Sequence, residues 1–260
     1  DLFERCLRLR EAMERQGEPK TILLIHSQGK LGGAENSLLN LLRGLDTSRF
    51  RIVGACPANG RFPDELRQLG VTVVPFTFPG VKNLVKLLRN SLALARLARR
   101  ENACLLHSNT PQSNVPCGFA GRLAGIPTLW HARNILEPNM IDLDRLLSGL
   151  ATHVVCNSQA IRNRFPGIDR YEEKTSVVLN GVDNEVFRPS GEMRETGRRA
   201  LGIPSHATVI ATFDRLDPRK GHETVLRAFA AAQSVPGDTV LLFVGKAFDR
   251  HEELMGKLKN

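Results

Sequence analysis

The sequence predicts an α/β chain: a doubly wound, parallel-sheet, Rossmann-like N-terminal domain plus the start of a second Rossmann-like domain. Three observations carry this. Short apolar, β-branched runs alternate with longer stretches of helical period, the syntax of consecutive βαβ units. The runs are nearly continuous in hydrophobicity rather than strictly alternating, as strands covered on both faces should be. The pattern breaks once, after Asn180, and then restarts.

Taken in order, residues 1–20 mix Arg with Glu and read as an N-terminal extension, expected to be helical. Residues 21–190 make the first domain. Its strands are expected at Thr21–Ser27, Arg51–Cys56, Val71–Phe76, Ala103–Ser108, Thr128–Ala132, Thr152–Asn157 and Ser176–Asn180. Between them, Ala34–Leu45 and Lys82–Arg100 repeat leucine at helical spacing, so both are expected to be helices. The stretch NGVDNEVFRPSGEMRETG, from Asn180, is rich in Gly, Pro and charge and reads as a connection. Residues 191–260 then open a second domain, with strands at Thr208–Thr212 and Thr239–Gly245, a helix from His222 and a last helix from Asp249. Two strands are fewer than the roughly five or six of such a sheet. The chain, which opens on Asp1 rather than Met, is therefore expected to be a fragment ending inside its second domain.

Composition narrows the function. Hydrophobic residues at 42% and charged residues at 24% exclude wholesale disorder. One Trp and one Tyr leave aromatics at 5%, too few for the stacking platforms of single-stranded nucleic-acid binders. The net charge of +9 asks for an anionic partner, such as nucleotide phosphate or an acidic membrane face. Nucleic acid is disfavoured, because no recognised nucleic-acid motif accompanies the charge. Five widely spaced cysteines include no CxxC pair, which argues against a metal site and for a reduced, cytoplasmic chain. No apolar run approaches the roughly 18 residues of a membrane span, and the first twenty residues do not form a signal peptide.

Four stretches are candidates for chemistry or binding. The turn Gln28–Glu35 carries Gly32 and Gly33 between the first strand and the first helix, where backbone N–H groups and a helix N-terminus suit a phosphate. It is neither GxGxxG nor a P-loop, and a tight strand-to-helix turn would need the same glycines. His131 ends a strand in TLWHARN, facing the crevice where open α/β sheets bind ligands. His26 and His107 end strands too, and any of the three could be a satisfied core histidine. In FDRLDPRKGHE, Arg215 and Lys220 flank the entry to a helix, a clamp suited to a diphosphate leaving group; a solvated charged loop would look the same. Lastly, Lys82, Lys86, Arg89, Arg96, Arg99 and Arg100 stud one helix without an acidic residue, while Leu84, Leu87, Leu88, Leu92, Ala95 and Leu97 recur along it. Such a basic amphipathic helix fits an anionic leaflet or, equally, a crossover helix docked on the sheet.

Together these stretches resemble the GT-B glycosyltransferases of the family 4 type. The likeness rests on Gly32-Gly33-Ala34-Glu35 followed by Leu38–Leu45, on Arg122–Pro127 (RLAGIP), His131 and Asn157-Ser158-Gln159-Ala160, on Val178–Asp183 (VLNGVD) with Phe187 and Pro189, and on Arg215–Gly221 (RLDPRKG). It covers nearly the whole chain from Thr21.

The resemblance implies a GT-B-like fold and a retaining transferase; the basic Lys82–Arg100 helix adds the expectation of a peripheral place on the inner membrane face. Such an enzyme would move sugar from a nucleotide-sugar donor to a cell-surface glycan or lipid-linked acceptor, with no cofactor and no catalytic metal. It also implies an acceptor-side first domain and a nucleotide-sugar-binding second one. Gly32 and Gly33 would lie near the donor phosphates, His131 would touch the transferring sugar, and Arg215 and Lys220 would hold the diphosphate. Two departures stand against full activity: Asp214 occupies the family's usual Gly position, and no E-x7-E segment follows before Asn260. A sugar-nucleotide epimerase of the same architecture, or a non-catalytic membrane- or acceptor-binding module, are the competing readings.

Overall fold

The computed structural model describes residues 19–78, 83–135, 141–165, 174–217, 220–232 and 237–245. The expected helix within residues 1–20, Lys82 and the expected helix from Asp249 lie outside these. The chain divides into two compact units, Asp1–Asn184 and Glu185–Asn260.

The first unit is one parallel sheet. Its strands are β1 (Lys20–Ile25), β2 (Phe50–Cys56), β3 (Thr72–Pro75), β4 (Ala103–Ser108), β5 (Thr128–Ala132), β6 (His153–Cys156) and β7 (Thr175–Val177). They lie in the order β3-β2-β1-β4-β5-β6-β7 with every neighbouring pair parallel. The helices are α1 (Gly33–Arg43), α2 (Arg61–Gln68), α3 (Leu84–Arg100) and α4 (Pro111–Ala124), then the short α5 (Leu143–Leu146), a 3₁₀ turn at Ser148–Leu150 and α6 (Gln159–Arg162).

Continuous hydrophobicity follows from coverage of both faces. Along β1, Leu23 and Ile25 enter one core with Val53, Leu94, Ala98, Leu106 and Trp130, whereas Leu24 enters the other with Leu38, Leu39, Phe62 and Leu66. Side chains alternate across a strand, so both parities must be apolar when α1 and α2 cover one face and α3 and α4 the other. The strand order turns back at β1, between β2 and β4, which places the ligand crevice at the carboxyl ends of β1 and β4.

Local signals set the helix ends. The Asn83 side chain accepts from the Lys86 N–H at 3.0 Å and so caps α3. Pro111 opens α4 and Gly125, at φ 73°, closes it, the favoured asymmetry of Pro at the start and a left-handed residue after the end.

The second unit carries a parallel pair, β8 (Thr208–Phe213) and β9 (Thr239–Val244), with helices α7 (Gly191–Ala200) and α8 (His222–Ala231). Three expectations need correction. The stretch read as a pure connection contains α7, capped by the Ser190 hydroxyl accepting from the Met193 N–H at 3.2 Å; its charges mark a solvated helix rather than a loop. The seventh strand ends at Val177 rather than Asn180, and Leu179 and Asn180 are exposed. In α3 only Ser91, Leu94, Ala95, Leu97 and Ala98 are buried, so the expected apolar face does not run the full length: Leu84 and Leu88 face outward.

Candidate active site

At the strand ends of the first unit, buried polar side chains converge where the topology predicts a crevice. His26 follows β1, Asn109 follows β4, and His131 lies in β5 with Arg133 just beyond it. Beneath them Ser27 and Thr110 tie β1 to the start of α4, the Thr110 hydroxyl donating to Ser27 Oγ at 2.9 Å.

Arg133 is the hub. Its Nε donates to Asn109 Oδ1 at 2.9 Å, its Nη1 to both Ser37 Oγ and Asn180 Oδ1 at 2.9 Å, and its Nη2 to His131 Nδ1 at 3.1 Å. Ser37 Oγ in turn donates to Asn180 Oδ1 at 2.9 Å. One guanidinium therefore joins α1, the ends of β4 and β5, and the segment after β7. The rigid planar fork of arginine suits such multidentate use, which a lysine could not reproduce. Burial costs the guanidinium part of its proton affinity, bringing it down to about 10 although nearby Glu35 pulls the other way.

The histidines fall into two sets. His26 is fully buried, with Nε2 2.8 Å from Glu35 Oε1 and its ring 4.4 Å from that of Phe62. Burial alone would raise the Glu35 carboxyl. Its contact with His26 and the backbone N–H groups at Glu35 and Gly32 outweigh burial and hold it below its ordinary value. His107 and His131 stack with ring centres 5.8 Å apart. Burial, then the neighbouring Arg133 charge, pushes His107 down to about 4; burial, Arg133 and then His107 push His131 down to about 3. Both rings are neutral at physiological pH, and the buried Nε2 of His131 has no partner.

His131 and Arg133, with Ser37, Asn180 and Asp183, line a cavity of about 490 Å³ whose remaining wall includes Leu41, Arg43 and Leu179. A recess of this size, partly apolar with a few convergent polar groups, is the form of a small-molecule site.

Gly32 and Gly33 begin α1, four to five residues before Ser37. A Cβ on Gly32 would come 2.9 Å from Glu35 Oε2. The tighter requirement lies at Gly29 and Gly60. Gly60 adopts φ 123°, and a Cβ there would sit 2.3 Å from the Gly29 carbonyl oxygen, which also accepts from the Phe62 N–H at 3.1 Å. The glycine-rich turn is thus packed backbone to backbone against the loop after β2.

Arg215 and Lys220 lie in the second unit. Lys220 Nζ is 2.8 Å from Asp214 Oδ2, and Asp214 Oδ1 accepts from the Arg215 N–H at 2.7 Å. The Lys220 contact comes first among the causes that hold the Asp214 carboxyl below its ordinary value. The aspartate at the family's glycine position therefore engages one of the two expected clamp residues. Of the basic helix residues, Lys86, Arg89, Arg96, Arg99 and Arg100 are exposed; Arg99 donates to the Leu123 carbonyl and Arg100 pairs with Glu101 at 3.1 Å. Among the described residues no cluster of three or more His, Cys, Asp or Glu could hold a metal, and no helix is long and apolar enough to cross a membrane.

A seven-stranded parallel doubly wound sheet, followed by a unit with parallel strands of its own, is the GT-B, Rossmann-like architecture. The Anabaena HepE structure in complex with UDP aligns over 92% of this chain and 64% of its own, at TM-score 0.75 and 25% identity. Its complex with UDP-glucose aligns over the same shares at 0.72 and 26%. The chain belongs to glycosyltransferase family 4, whose profile matches residues 31–186. It is similar to EpsF of Bacillus subtilis strain 168, 26% identical over 81% of this chain and 58% of that protein. It is also similar to the Escherichia coli UDP-Gal:α-D-GlcNAc-diphosphoundecaprenol α-1,3-galactosyltransferase, 24% identical over 88% of this chain and 61% of that one. The chain thus spans about three fifths of these relatives' length.

Arg133, Ser37 and Gly60 were not singled out from the sequence. A signal existed for Arg133: two residues past His131, it continues the same face of the strand. Pro57-Ala58-Asn59-Gly60 is likewise a recognisable turn sequence.

Proposed function

We propose that the protein containing this chain is a retaining glycosyltransferase that moves a sugar from a uridine-diphosphate donor to a lipid-linked or glycan acceptor. The observation that carries this reading is that His131 and Arg133, at the carboxyl end of β5, line a cavity with Ser37 and Asn180 in a chain of family 4. The donor class comes from the UDP and UDP-glucose complexes of HepE, and the lipid-linked acceptor from the E. coli relative. In this reading the first unit receives the acceptor, with Gly32 and Gly33 toward the donor phosphates. The second unit holds the nucleotide, and Arg215 and Lys220 balance the leaving diphosphate, a task for which no metal or cofactor is invoked.

Titration calorimetry of UDP on the chain tests the clamp. Lys220→Ala and Arg215→Ala are each expected to weaken UDP by at least about tenfold, the scale of one charge-assisted hydrogen bond. Equal affinity in both variants would remove them from the site. Donor-dependent sugar transfer by the full-length protein tests the activity, and conversion of donor to an epimer without acceptor would replace transfer with epimerisation.

We further propose that the first half of α3 rests on an anionic membrane face. Leu84, Val85 and Leu88 are exposed beside exposed Lys86 and Arg89, and each basic residue near such a surface is worth about 1 kcal/mol. Flotation with phosphatidylglycerol vesicles should show binding that falls with salt. Replacing Lys86, Arg89 and Arg96 together by Glu should abolish it, and retained binding would assign the membrane contact elsewhere.

A further inference from the structure

We propose that Arg133 is a positioning residue that fixes His131 in the neutral tautomer with hydrogen on Nε2, leaving the ring only a donor at that nitrogen. The inference rests on the reading that His131 addresses a bound sugar or acceptor, and it adds what His131 can and cannot do there.

A guanidinium carries five N–H donors and no acceptor. Its Nη2, 3.1 Å from His131 Nδ1, therefore demands a lone pair on Nδ1, and in a neutral imidazole the hydrogen then resides on Nε2. An imidazolium would aim an N–H at the guanidinium and place two cations in contact. The charged and titratable groups around the ring act in the same direction: Arg133 in direct contact and His107 stacked at 5.8 Å, with Glu35 reaching His131 only by way of its pull on Arg133. The depression of the His131 pKa to about 3 agrees. Arg133 is itself held by Asn109, Ser37 and Asn180, so the Nη2 that faces His131 has little freedom to swing away.

The consequence is chemical. The buried Nε2–H has no protein partner, so the one hydrogen bond left to this ring is a donated one, of the kind a sugar hydroxyl or ring oxygen accepts. Locked this way, His131 cannot take a proton at either nitrogen under physiological conditions. It binds and orients a hydroxyl-bearing group and does not serve as a general base. Sequence gave His131 the choice of accepting or donating; the Arg133 contact removes it.

Long-range ¹⁵N–¹H spectroscopy of the histidine rings in the uniformly labelled 260-residue chain tests this without substrate. The wild-type His131 ring should show an unprotonated Nδ1 and protonated Nε2, unchanged between about pH 5 and 8. In Arg133→Met, which removes the donors and the charge, His131 should populate the other tautomer, while its burial still holds the ring's proton affinity below the ordinary histidine value. A folded Arg133→Met chain with the wild-type His131 spectrum overturns the proposal. Should Arg133→Met fail to fold, the wild-type spectrum decides alone: a His131 ring that is cationic at neutral pH, or protonated on Nδ1, overturns it as well. Because the readout needs neither donor nor acceptor, its failure leaves sugar transfer standing, and failure of UDP to bind leaves the tautomer standing.

Discussion

Replacing Trp130 by alanine should destabilise the first unit by about 3–5 kcal/mol, read as a drop in urea midpoint with little change in slope. Trp130 is the largest fully buried side chain of the sheet, 1% exposed on β5. A Cβ added at Gly118 of α4 would lie 2.8 Å from Trp130 Cζ2 and 2.7 Å from Leu150 Cβ. The bare backbone at Gly118 is what allows α4 to close over the indole. Removing the indole leaves a void between helix and sheet that neither element can fill, because both are anchored along their length. The pairing makes a second expectation: Gly118→Ala overpacks the wild type at a cost of about 1–3 kcal/mol. In the Trp130→Ala background it should cost less, since only the Leu150 contact remains to be relieved. A double-mutant cycle with no coupling would mean that α4 is free to shift outward and that the helix-to-sheet distance is not set here.

The same face of the molecule shows what could be read in advance. Each of the nine strands among the described residues overlaps an apolar run that predicted it, the seventh only in part, because a strand covered on both faces is mostly apolar at both parities and so writes itself plainly in sequence. The helix α7 was missed for the opposite reason. It buries only Arg198, and a helix with almost no apolar stripe carries no period to detect. His131 was legible as a strand-end histidine, but its environment was not. Arg133, Ser37, Asn109 and Asn180 meet from four parts of the chain up to 143 residues apart. Each looks like an ordinary surface polar residue until the topology brings them together. The Asp214 departure was visible in sequence; its contact with Lys220 needed the loop geometry.

Lowering the pH from 7.5 to 5 should cost the chain about 3 kcal/mol of stability, well before its carboxylates protonate in bulk. His107 and His131 have folded-state values of about 4 and about 3, below the ordinary histidine value. A group whose folded value is depressed contributes stability that is present above the unfolded value and lost as pH falls toward the folded one. Between about pH 6.5 and 4 the unfolded chain binds protons that the native chain refuses, and stability must fall with pH. Each histidine costs about 2 kcal/mol at pH 5. Asp144 works in the other direction. Burial raises it to about 6 in spite of Asn114 and Arg164, so the native state gains its proton first and recovers about 1 kcal/mol over the same interval. Urea unfolding at the two pH values reads the net difference. His131→Gln should remove about 2 kcal/mol of the pH dependence while leaving the Asp144 contribution in place, which separates the opposing terms. Equal stability at pH 7.5 and pH 5 in the wild type would mean that the two stacked rings accept protons without unfolding. A ring charged in that position would have to displace Arg133, and with it the hydrogen bonds that join α1, β4 and the segment after β7 around the cavity.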